Sequence, residues 1–403
     1  MTRPPRTPVR PLPRPRSSDA EPIAVYVHWP YCARICPYCD FNVMRDRGRT
    51  EQQALLAGAI LADLQGHRSL TGPRRLVSVY LGGGTPSLLP PEWAEAIIGM
   101  AKNLWPTDGS VEVTLEANPT DAEAGRFAAF AAAGVNRLSL GLQALDDEAL
   151  RFLGRNHTVK EGIGAAMIAR AAFPRLSLDL IYARPGQTPW AWAAELEAAT
   201  SLGAEHISPY QLTIEDGTAF GRAVRRGQWA PPDPETAAAM FGVTQEVLTA
   251  RGFDAYEVSN HARGDGARSR HNLASWRGHD YVGVGPGAHG RLTLNGVRTA
   301  VRAAPKPADY IREVRESELG WAEREALSER QAAEERLLMG LRTTEGVALA
   351  ELRPLGLEKA SPKLAELGEA GLIRLENDRL VATADGRLVL DRVTLELTTA
   401  VSG

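Results

Sequence analysis

Tyr26-Val27-His28-Trp29-Pro30-Tyr31-Cys32-Ala33-Arg34-Ile35-Cys36-Pro37-Tyr38-Cys39-Asp40-Phe41 contains all three cysteines of the 403-residue chain. They fall within eight residues, spaced C-x3-C-x2-C. Three thiolates this close read as ligands of an iron–sulfur cluster, which normally takes four. With no fourth cysteine in the sequence, one iron of such a cluster stays open to a small molecule. Structural zinc is the competing reading, with His28 as the nearby fourth ligand, but zinc sites usually come as separated C-x2-C pairs. Free cysteines can also be plain core residues. A disulfide leaves one of the three thiols unpaired, and nothing marks the chain as secreted.

Outward from this stretch the composition is ordinary. Hydrophobic residues make up 44% and charged residues 24%, with a formal net charge of −3, so there is no general electrostatic case for a nucleic-acid partner. No apolar run reaches the length of a membrane span. The N-terminus lacks the apolar core of a secretory signal. A cytoplasmic, reducing compartment is expected, which suits an oxygen-sensitive cluster. Residues 1–20 hold six prolines and five arginines, with no acid before Asp19. They read as a disordered or polyproline-like tail, with a basic docking arm as the alternative.

From Ile23 onward, short apolar runs alternate with longer helical patterns. The strands expected are Ile23–His28, Leu76–Leu81, Val111–Glu116, Val135–Leu140, Leu176–Ile181 and His206–Gln211. Helices are expected near 50–65, 91–104, 121–133, 158–171 and 189–202. Repeated strand–helix units predict a parallel α/β sheet, as a partial (βα)6 TIM-like barrel or as a doubly wound sheet. In either fold chemistry belongs at the C-terminal ends of the strands. Polar and glycine-rich groups gather at those ends: the cysteines, Gly82-Gly83-Gly84-Thr85-Pro86-Ser87, Glu116-Ala117-Asn118-Pro119, Ser139 to Gln143, Asp179 with Pro185-Gly186-Gln187, and Tyr210-Gln211-Leu212. This convergence predicts one large site. The glycine run lets a ligand approach the main chain, although it also reads as a sharp turn after a buried strand. No G-K-[ST] follows, so it is not a P-loop.

C-x3-C-x2-C is the signature of the radical S-adenosylmethionine (SAM) proteins. The ordered series Tyr26-x-His28-x-Pro30, the three cysteines, Gly82–Ser87, Glu116-x-Asn118-Pro119, Arg137-x-Ser139-x-Gly141-x-Gln143 and Gly154-Arg155-x-His157 resembles the oxygen-independent coproporphyrinogen III oxidase family. Asp179-Leu180-Ile181-Tyr182, Tyr256-Glu257-x-Ser259-Asn260, His271-Asn272-x3-Trp276 and Gly283-x-Gly285-Pro286-Gly287-Ala288-His289 continue the match. Within that family it resembles the HemW-type haem chaperones. The resemblance implies a [4Fe–4S] cluster on Cys32, Cys36 and Cys39, with SAM on the open iron. Tyr26, Gly83, Glu116, Gln143, Arg155 and Asp179 match positions that contact SAM in the family. Tyr38, Gly84 and Thr85 match contacts to a second SAM in the oxidases.

Two features weigh for the chaperone subgroup over the oxidases. Where the oxidases continue to a fourth cysteine, this chain has Phe41, and only a short Pro/Arg-rich stretch precedes Tyr26. A chaperone binds haem and delivers it to an acceptor protein, which a membrane-associated partner would suit, and its cluster needs an electron donor. Histidine is the usual haem ligand, and His271 is the first candidate, with His261 and His289 behind it. Trp276 is placed to stack on a porphyrin. Arg184 stands near the fifth strand as a propionate partner or a surface salt bridge.

Gly285–Gly290 matches G-x-G-x-x-G, but Asn295-Gly296 just beyond predicts a hairpin rather than a Rossmann helix. Four segments follow from these readings: the tail, a core barrel over 21–230, a family-specific extension over 231–305 and a helical, winged-helix-like domain over 306–403. In the last, helical pieces at Glu334–Leu341, Leu349–Arg353 and Pro362–Glu369 precede a hairpin around Glu376-Asn377 and a helix near Asp385–Leu397. No basic recognition face marks it for DNA, so a lid or docking role is expected.

Overall fold

The computed structural model describes residues 21–399 apart from 108, 110, 122 and 123. The tail expected over 1–20 lies outside the described residues. Six strand–helix units open the fold. The strands are β1 (Pro22–Trp29), β2 (Arg75–Gly83), β3 (Glu112–Ala117), β4 (Arg137–Gln143), β5 (Arg175–Tyr182) and β6 (His206–Gln211). The helices between them are α1 (Thr50–Thr71), α2 (Pro91–Leu104), α3 (Ala124–Ala132), the short α4 (Asp147–Phe152), α5 (Val159–Ala172) and α6 (Pro189–Thr200). The six strands lie side by side in chain order and pair in parallel. A doubly wound sheet reverses its strand order partway; this one does not. Right-handed crossovers then place every helix on one face.

The alternation of side chains explains why the sheet curves around a polar interior. Val25, Val27, Val79, Leu81, Val113, Leu115, Leu138, Leu140, Leu178, Leu180 and Ile207 join the main core. That core also takes Leu56 and Ile60 of α1, Ile97 of α2, Phe130 of α3 and Leu196 of α6. Successive strand residues face opposite ways, so Tyr26, His28, Ser78, Tyr80, Thr114, Glu116, Ser139, Asp179 and Ser208 share the other face. One face is apolar and the other is polar.

The sheet extends beyond the six expected strands. Helices α7 (Ala219–Arg225) and α8 (Pro234–Ala250) lead to β7 (Asp254–Ala255) and β8 (His261–Ala262); β8 pairs antiparallel with β6, and β7 pairs antiparallel with β8 at the edge of the sheet. After α9 (Arg270–Trp276), β9 (Asp280–Val284) adds a seventh parallel strand on the far side of β1. Strands β10 (His289–Leu294), β11 (Val297–Ala303) and β12 (Trp321–Ala326) continue antiparallel from it. The G-x-G-x-x-G stretch therefore opens into strands, and Asn295 and Gly296, both at positive φ, form the two-residue turn between β10 and β11.

The boundary expected at 306 falls later. Helix α10 (Pro307–Ser317) places Tyr310 and Val314 in the main core, and β12 completes the large sheet. A buried carboxylate binds this segment to α1. Asp63, fully buried, accepts from the Tyr310 hydroxyl at 2.7 Å and from the Gly320 N–H at 3.2 Å, and pairs with His67 at 3.0 Å. The Trp321 indole N–H donates to His67 Nε2 at 3.1 Å.

The C-terminal unit starts with α11 (Glu329–Arg342) and has its own core of Leu337, Leu341, Leu352, Leu364, Val393 and Leu397. Its three short strands, β13 (Val347–Ala348), β14 (Ile373–Glu376) and β15 (Arg379–Ala382), stand beside α12 (Pro362–Glu369), α13 (Ala384–Leu388) and α14 (Leu390–Thr399). The hairpin turns at Asn377-Asp378, both at positive φ, one residue beyond the expected place. No helix among the described residues is long and apolar enough to cross a membrane.

Asp63→Ala strands the buried Tyr310 hydroxyl and Gly320 N–H at once, while His67 Nδ1 keeps the main-chain carbonyl of residue 63. We expect it to lower the free energy of unfolding by ~3–5 kcal/mol, read as a fall in urea midpoint at unchanged m-value. A loss below about 1 kcal/mol would remove this network from the account of the fold.

Candidate cofactor site

The cysteine loop leaves β1 at the C-terminal face of the barrel and is held by main chain from both sides. Gly84 N donates to Trp29 O, and Thr85 N to Tyr31 O, each at 2.8 Å. A methyl group on Gly84 would lie 2.7 Å from the Tyr31 carbonyl oxygen, and one on Gly83 (φ +107) would lie 2.7 Å from the His28 ring. From the opposite flank, a methyl group on Gly285 (φ +99) would come closer still, to His28 O. The glycines at the ends of β2 and β9 are there because a Cβ does not fit. The loop's own polar groups are spent similarly: His28 Nε2 meets Asn42 O at 2.8 Å, and Asn42 Nδ2 donates to Pro286 O and Pro305 O, each at 2.8 Å. Phe220 N, at the start of α7, donates to Pro37 O at 2.9 Å.

All three thiols are free, Cys32 buried and the other two half-buried. Burial pushes the Cys32 thiol up to about 11, with the Thr85 hydroxyl opposing, and raises Cys39 as well. Arg155 is the hub beside them. Its guanidinium donates to Cys36 Sγ at 3.4 Å, to Gly141 O at 3.1 Å and to Asn118 Oδ1. Asn118 Nδ2 in turn donates to Thr85 Oγ1 at 3.1 Å. Arg155 Nε is buried and has no partner, a donor set aside for something the polypeptide does not supply.

Behind the loop stand two buried acids. Glu116 accepts from the Tyr80 hydroxyl at 2.7 Å and from the Gly83 N–H at 3.2 Å. Burial, with Asp179 nearby, raises its pKa to about 7 against the hydrogen bonds that oppose the shift. Asp179 accepts from Ser139 at 2.7 Å and is raised by burial too. At the opposite, N-terminal end the acids are neutralised. Burial pushes Glu112 up, but Arg137 and Arg175 (2.6 Å) hold it below the usual carboxylate range.

Of the residues singled out from sequence, Tyr26, Tyr38, Gly83, Gly84, Thr85, Glu116, Gln143, Arg155 and Asp179 lie on the polar interior or its rim. Tyr26 OH meets His28 Nδ1 at 3.0 Å, and Tyr38 packs against Phe220 with ring centroids 6.2 Å apart. Gln143 has φ +67 at a register break in β4, the kind of strain that re-aims a side chain at a site. His271 lies elsewhere, near the strand starts. Its Nδ1 meets Ser78 Oγ at 3.1 Å, its N–H donates to Glu112 at 3.1 Å, and its ring stacks on Tyr80 at 4.7 Å. His261 is buried beside Gln245, and His289 is exposed at the start of β10. Arg184 is neither rim nor surface: it is buried against Glu195, which also accepts from Leu145 N and Gln187. Asn118, Tyr80 and His28 are the residues that sequence reasoning left off the site. Asn118 stood in the Glu-x-Asn-Pro motif, and alternation along β1 and β2 points the other two inward.

The donor set suits a cluster better than a single ion. Among the described residues, no three His, Cys, Asp or Glu side chains converge to hold one metal ion, and both nitrogens of His28 are engaged. His28 is therefore not free to serve as a fourth zinc ligand. A cubane asks each thiolate to bind its own iron, which three sulfurs spread along an exposed loop can do.

Comparison with known proteins agrees with this geometry. The radical SAM superfamily profile matches residues 26–199 and the HemN C-terminal domain profile matches residues 327–389. The heme chaperone HemW of Mycobacterium tuberculosis is 36% identical over 96% of this chain and 97% of its own. The chain belongs to the radical SAM coproporphyrinogen III oxidase family, in its HemW-type haem chaperone subgroup. A bovine mitochondrial radical S-adenosyl methionine domain-containing protein 1 is 41% identical, covering 96% of this chain and 88% of its own. The coproporphyrinogen III oxidase HemN of Escherichia coli shares the fold, with a TM-score of 0.78 at 22% identity over 94% of this chain and 91% of that one.

The raised acids of this HemW-type chain carry a signed pH dependence. Glu116 titrates near 7 when folded and near 4.5 when unfolded, so between those values the folded state holds the extra proton. Its contribution to stability therefore falls as pH rises from about 4.5 to about 7, with a slope of at most ~1.4 kcal/mol per pH unit for one proton. Urea titrations of the cluster-free protein between pH 4.5 and 7.5 should show that slope reduced in Glu116→Gln. Equal slopes in both proteins would show that Glu116 ionises normally.

Proposed function

We propose that this protein is a haem chaperone that carries a SAM-liganded [4Fe–4S] cluster and delivers haem to an acceptor protein. The observation that carries the reading is Phe41. It stands where the oxidases place a fourth cysteine, and its side chain is 64% exposed on the cysteine loop. The HemW-type relatives, named heme chaperones, support it over most of the chain.

Cys32, Cys36 and Cys39 would hold the cluster. Tyr26, Tyr38, Gly83, Gly84, Thr85, Glu116, Gln143, Arg155 and Asp179 would hold SAM across the barrel mouth. A bound cluster would supply one electron to SAM, chemistry that belongs to the cofactors. The protein's part is positional. Arg155 neutralises thiolate charge at Cys36 and offers its unpartnered Nε to a carboxylate. Glu116, between Tyr80 and the Gly83 N–H, presents an acceptor to an ammonium or a ribose hydroxyl. The thiols that burial keeps protonated release their protons as the cluster is inserted.

An electron donor would approach over the exposed Ile35, Phe41 and Arg34 of the same loop. The haem acceptor is a second protein partner. We place the protein in the cytoplasm, where a reducing pool protects the cluster; the bovine relative is named mitochondrial.

Anaerobically reconstituted protein should carry a full cluster, retain haem through gel filtration, and form no protoporphyrinogen from coproporphyrinogen III with SAM and a reductant. Steady protoporphyrinogen formation would assign it to the oxidases instead. Arg155→Lys should bind SAM at least tenfold more weakly by equilibrium dialysis, because an ammonium reproduces neither the guanidinium fork nor its Nε–H. Unchanged SAM affinity would remove Arg155 from the SAM site.

A further inference from the structure

The turn between α4 and α5 is fixed at both ends and presses on the end of β4. Gly154, at φ +71, closes α4 as a Schellman motif: its N–H donates to Arg151 O at 3.1 Å, and the Arg155 N–H reaches back to Leu150 O at 2.8 Å. Thr158 then opens α5 with a capping box shared with Glu161. Gly154 also lies flush against the cysteine loop, where a methyl group on it would come 2.5 Å from Pro37 Cδ. Arg155 and His157, held between these caps, each take one carbonyl of β4. Arg155 Nη2 donates to Gly141 O at 3.1 Å, and His157 Nε2 meets Leu142 O at 3.2 Å.

Leu142 O is the carbonyl on which a strained turn depends. It also accepts the Ala144 N–H at 2.8 Å, an i to i+2 bond around Gln143 at φ +67. That is the strained, positive-φ form of the γ-turn, adopted here by a residue with a full side chain. The Gln143 amide folds back over Gly141, where a methyl group would lie 2.7 Å from Gln143 Nε2 and 3.6 Å from Arg155 Nη2. Strain of this kind persists only where surrounding contacts over-determine it. His157 supplies such a contact from outside the strand.

The ring can do this in one form only. A carbonyl oxygen can only accept, so Nε2 carries the proton and Nδ1 is left as an acceptor. Nδ1 is buried and has no partner. Burial, then the Arg155 charge, hold the pKa down to about 4, so the ring is neutral at physiological pH. Gly162 of α5 leaves the slot for it: a methyl group there would lie 3.2 Å from Leu142 Cδ2 and 3.6 Å from His157 Cδ2. A buried nitrogen without a partner costs the fold stability, set against the single donor that the ring provides.

We propose that His157 is a positioning residue of the SAM site: its bond to Leu142 O holds the γ-turn that aims Gln143 at SAM. Through Gly154 and Arg155 the same short segment touches Pro37 and Cys36, so it sets that contact relative to the cysteine loop. The inference rests on the reading of Gln143 as a SAM contact.

The test is equilibrium dialysis of SAM against anaerobically reconstituted wild type and variants, with urea midpoints of the cluster-free proteins measured alongside. His157→Leu should weaken SAM binding about fivefold, the worth of one hydrogen bond, at a nearly unchanged urea midpoint. Leu142 O keeps the Ala144 N–H in that variant, and the unpartnered Nδ1 leaves with the ring. His157→Gln, whose amide nitrogen ends where Nε2 stood, should bind SAM as wild type does. His157→Asn, whose amide ends where Nδ1 stood, should lose affinity as His157→Leu does, and it keeps the test open if leucine misfolds. In a Gln143→Ala background His157→Leu should cost nothing further, the mark of a residue that acts through Gln143. Gln143→Gly should have a higher urea midpoint than Gln143→Ala, the reverse of the order at an ordinary φ.

Unchanged SAM affinity in His157→Leu and His157→Asn, or an equal loss in His157→Gln, would overturn the proposal while leaving Gln143 at SAM. So would the same loss from His157→Leu with and without the Gln143 side chain, or a Gln143→Gly midpoint below that of Gln143→Ala. Unchanged SAM affinity in Gln143→Ala would instead remove Gln143 from the SAM site, and the proposal with it.

Discussion

The cysteine loop stands where it does because the main chain of β2 comes within van der Waals contact of the end of β1. Gly83 and Gly84 leave no room for a Cβ against His28, Pro30 and Tyr31, and Gly285 closes the same gap from β9. With side chains excluded, the two N–H groups at Gly84 and Thr85 reach the carbonyls of Trp29 and Tyr31 directly. A loop pinned through its backbone keeps its side chains for other work. That leaves the thiols of Cys32, Cys36 and Cys39 free and Ile35 and Phe41 as outer surface. The G-x-G near residue 285 thus has the same use as the Gly82–Gly84 run, and neither needs a phosphate to account for it.

The polar interior treats charge differently at its two ends, and the difference separates scaffold from site. Near the strand starts, Glu112 is flanked by Arg137 and Arg175, and a ring of serines and histidines completes the hydrogen bonds. Such a network is closed and serves the fold. Near the strand ends, Glu116 and Asp179 face each other's field with hydroxyl and N–H partners but no adjacent cation, and both are held above their ordinary range. Arg155, beside the cysteines, is committed to Asn118, Gly141 and Cys36 and still has an unpartnered Nε. A protein selected only for stability would pair these charges. Acids held above their ordinary range in this way are characteristic of functional sites rather than of scaffold.

Strand and helix positions were legible because period-2 and period-3.6 patterns are strong in this chain, and the rule that function gathers at strand ends found the rim. The seventh parallel strand was not legible. Asp280-Tyr281-Val282-Gly283-Val284 is short, and Gly283 interrupts its apolar run, for the reason that the His289 carbonyl occupies the space of its Cβ. The boundary at 306 failed because α10 is amphipathic by itself, and only the distant Asp63 shows which core its apolar side joins. Arg184 misled because charge in a sequence reads as surface, whereas Glu195 lies eleven residues on, on α6, and buries the pair.

His271 shows how much of a residue's setting pattern alone leaves out. A histidine followed by Asn272 and Trp276 invites a ligand role, yet its surroundings ask for a flat ring with one polar edge. Its face stacks on Tyr80 and its Nδ1 meets Ser78. Burial drives its pKa down to about 4 despite the opposing field of Glu112, so the neutral ring fits a crowded interior where an imidazolium would not. Phenylalanine offers the face without the hydrogen bond, and asparagine the bond without the face. The same helix carries Arg270, Leu273 and Arg277 to the opposite side, where crowding gives way to an open, cationic cavity. One seven-residue helix therefore seals the barrel with one side and forms a wall of the cavity with the other.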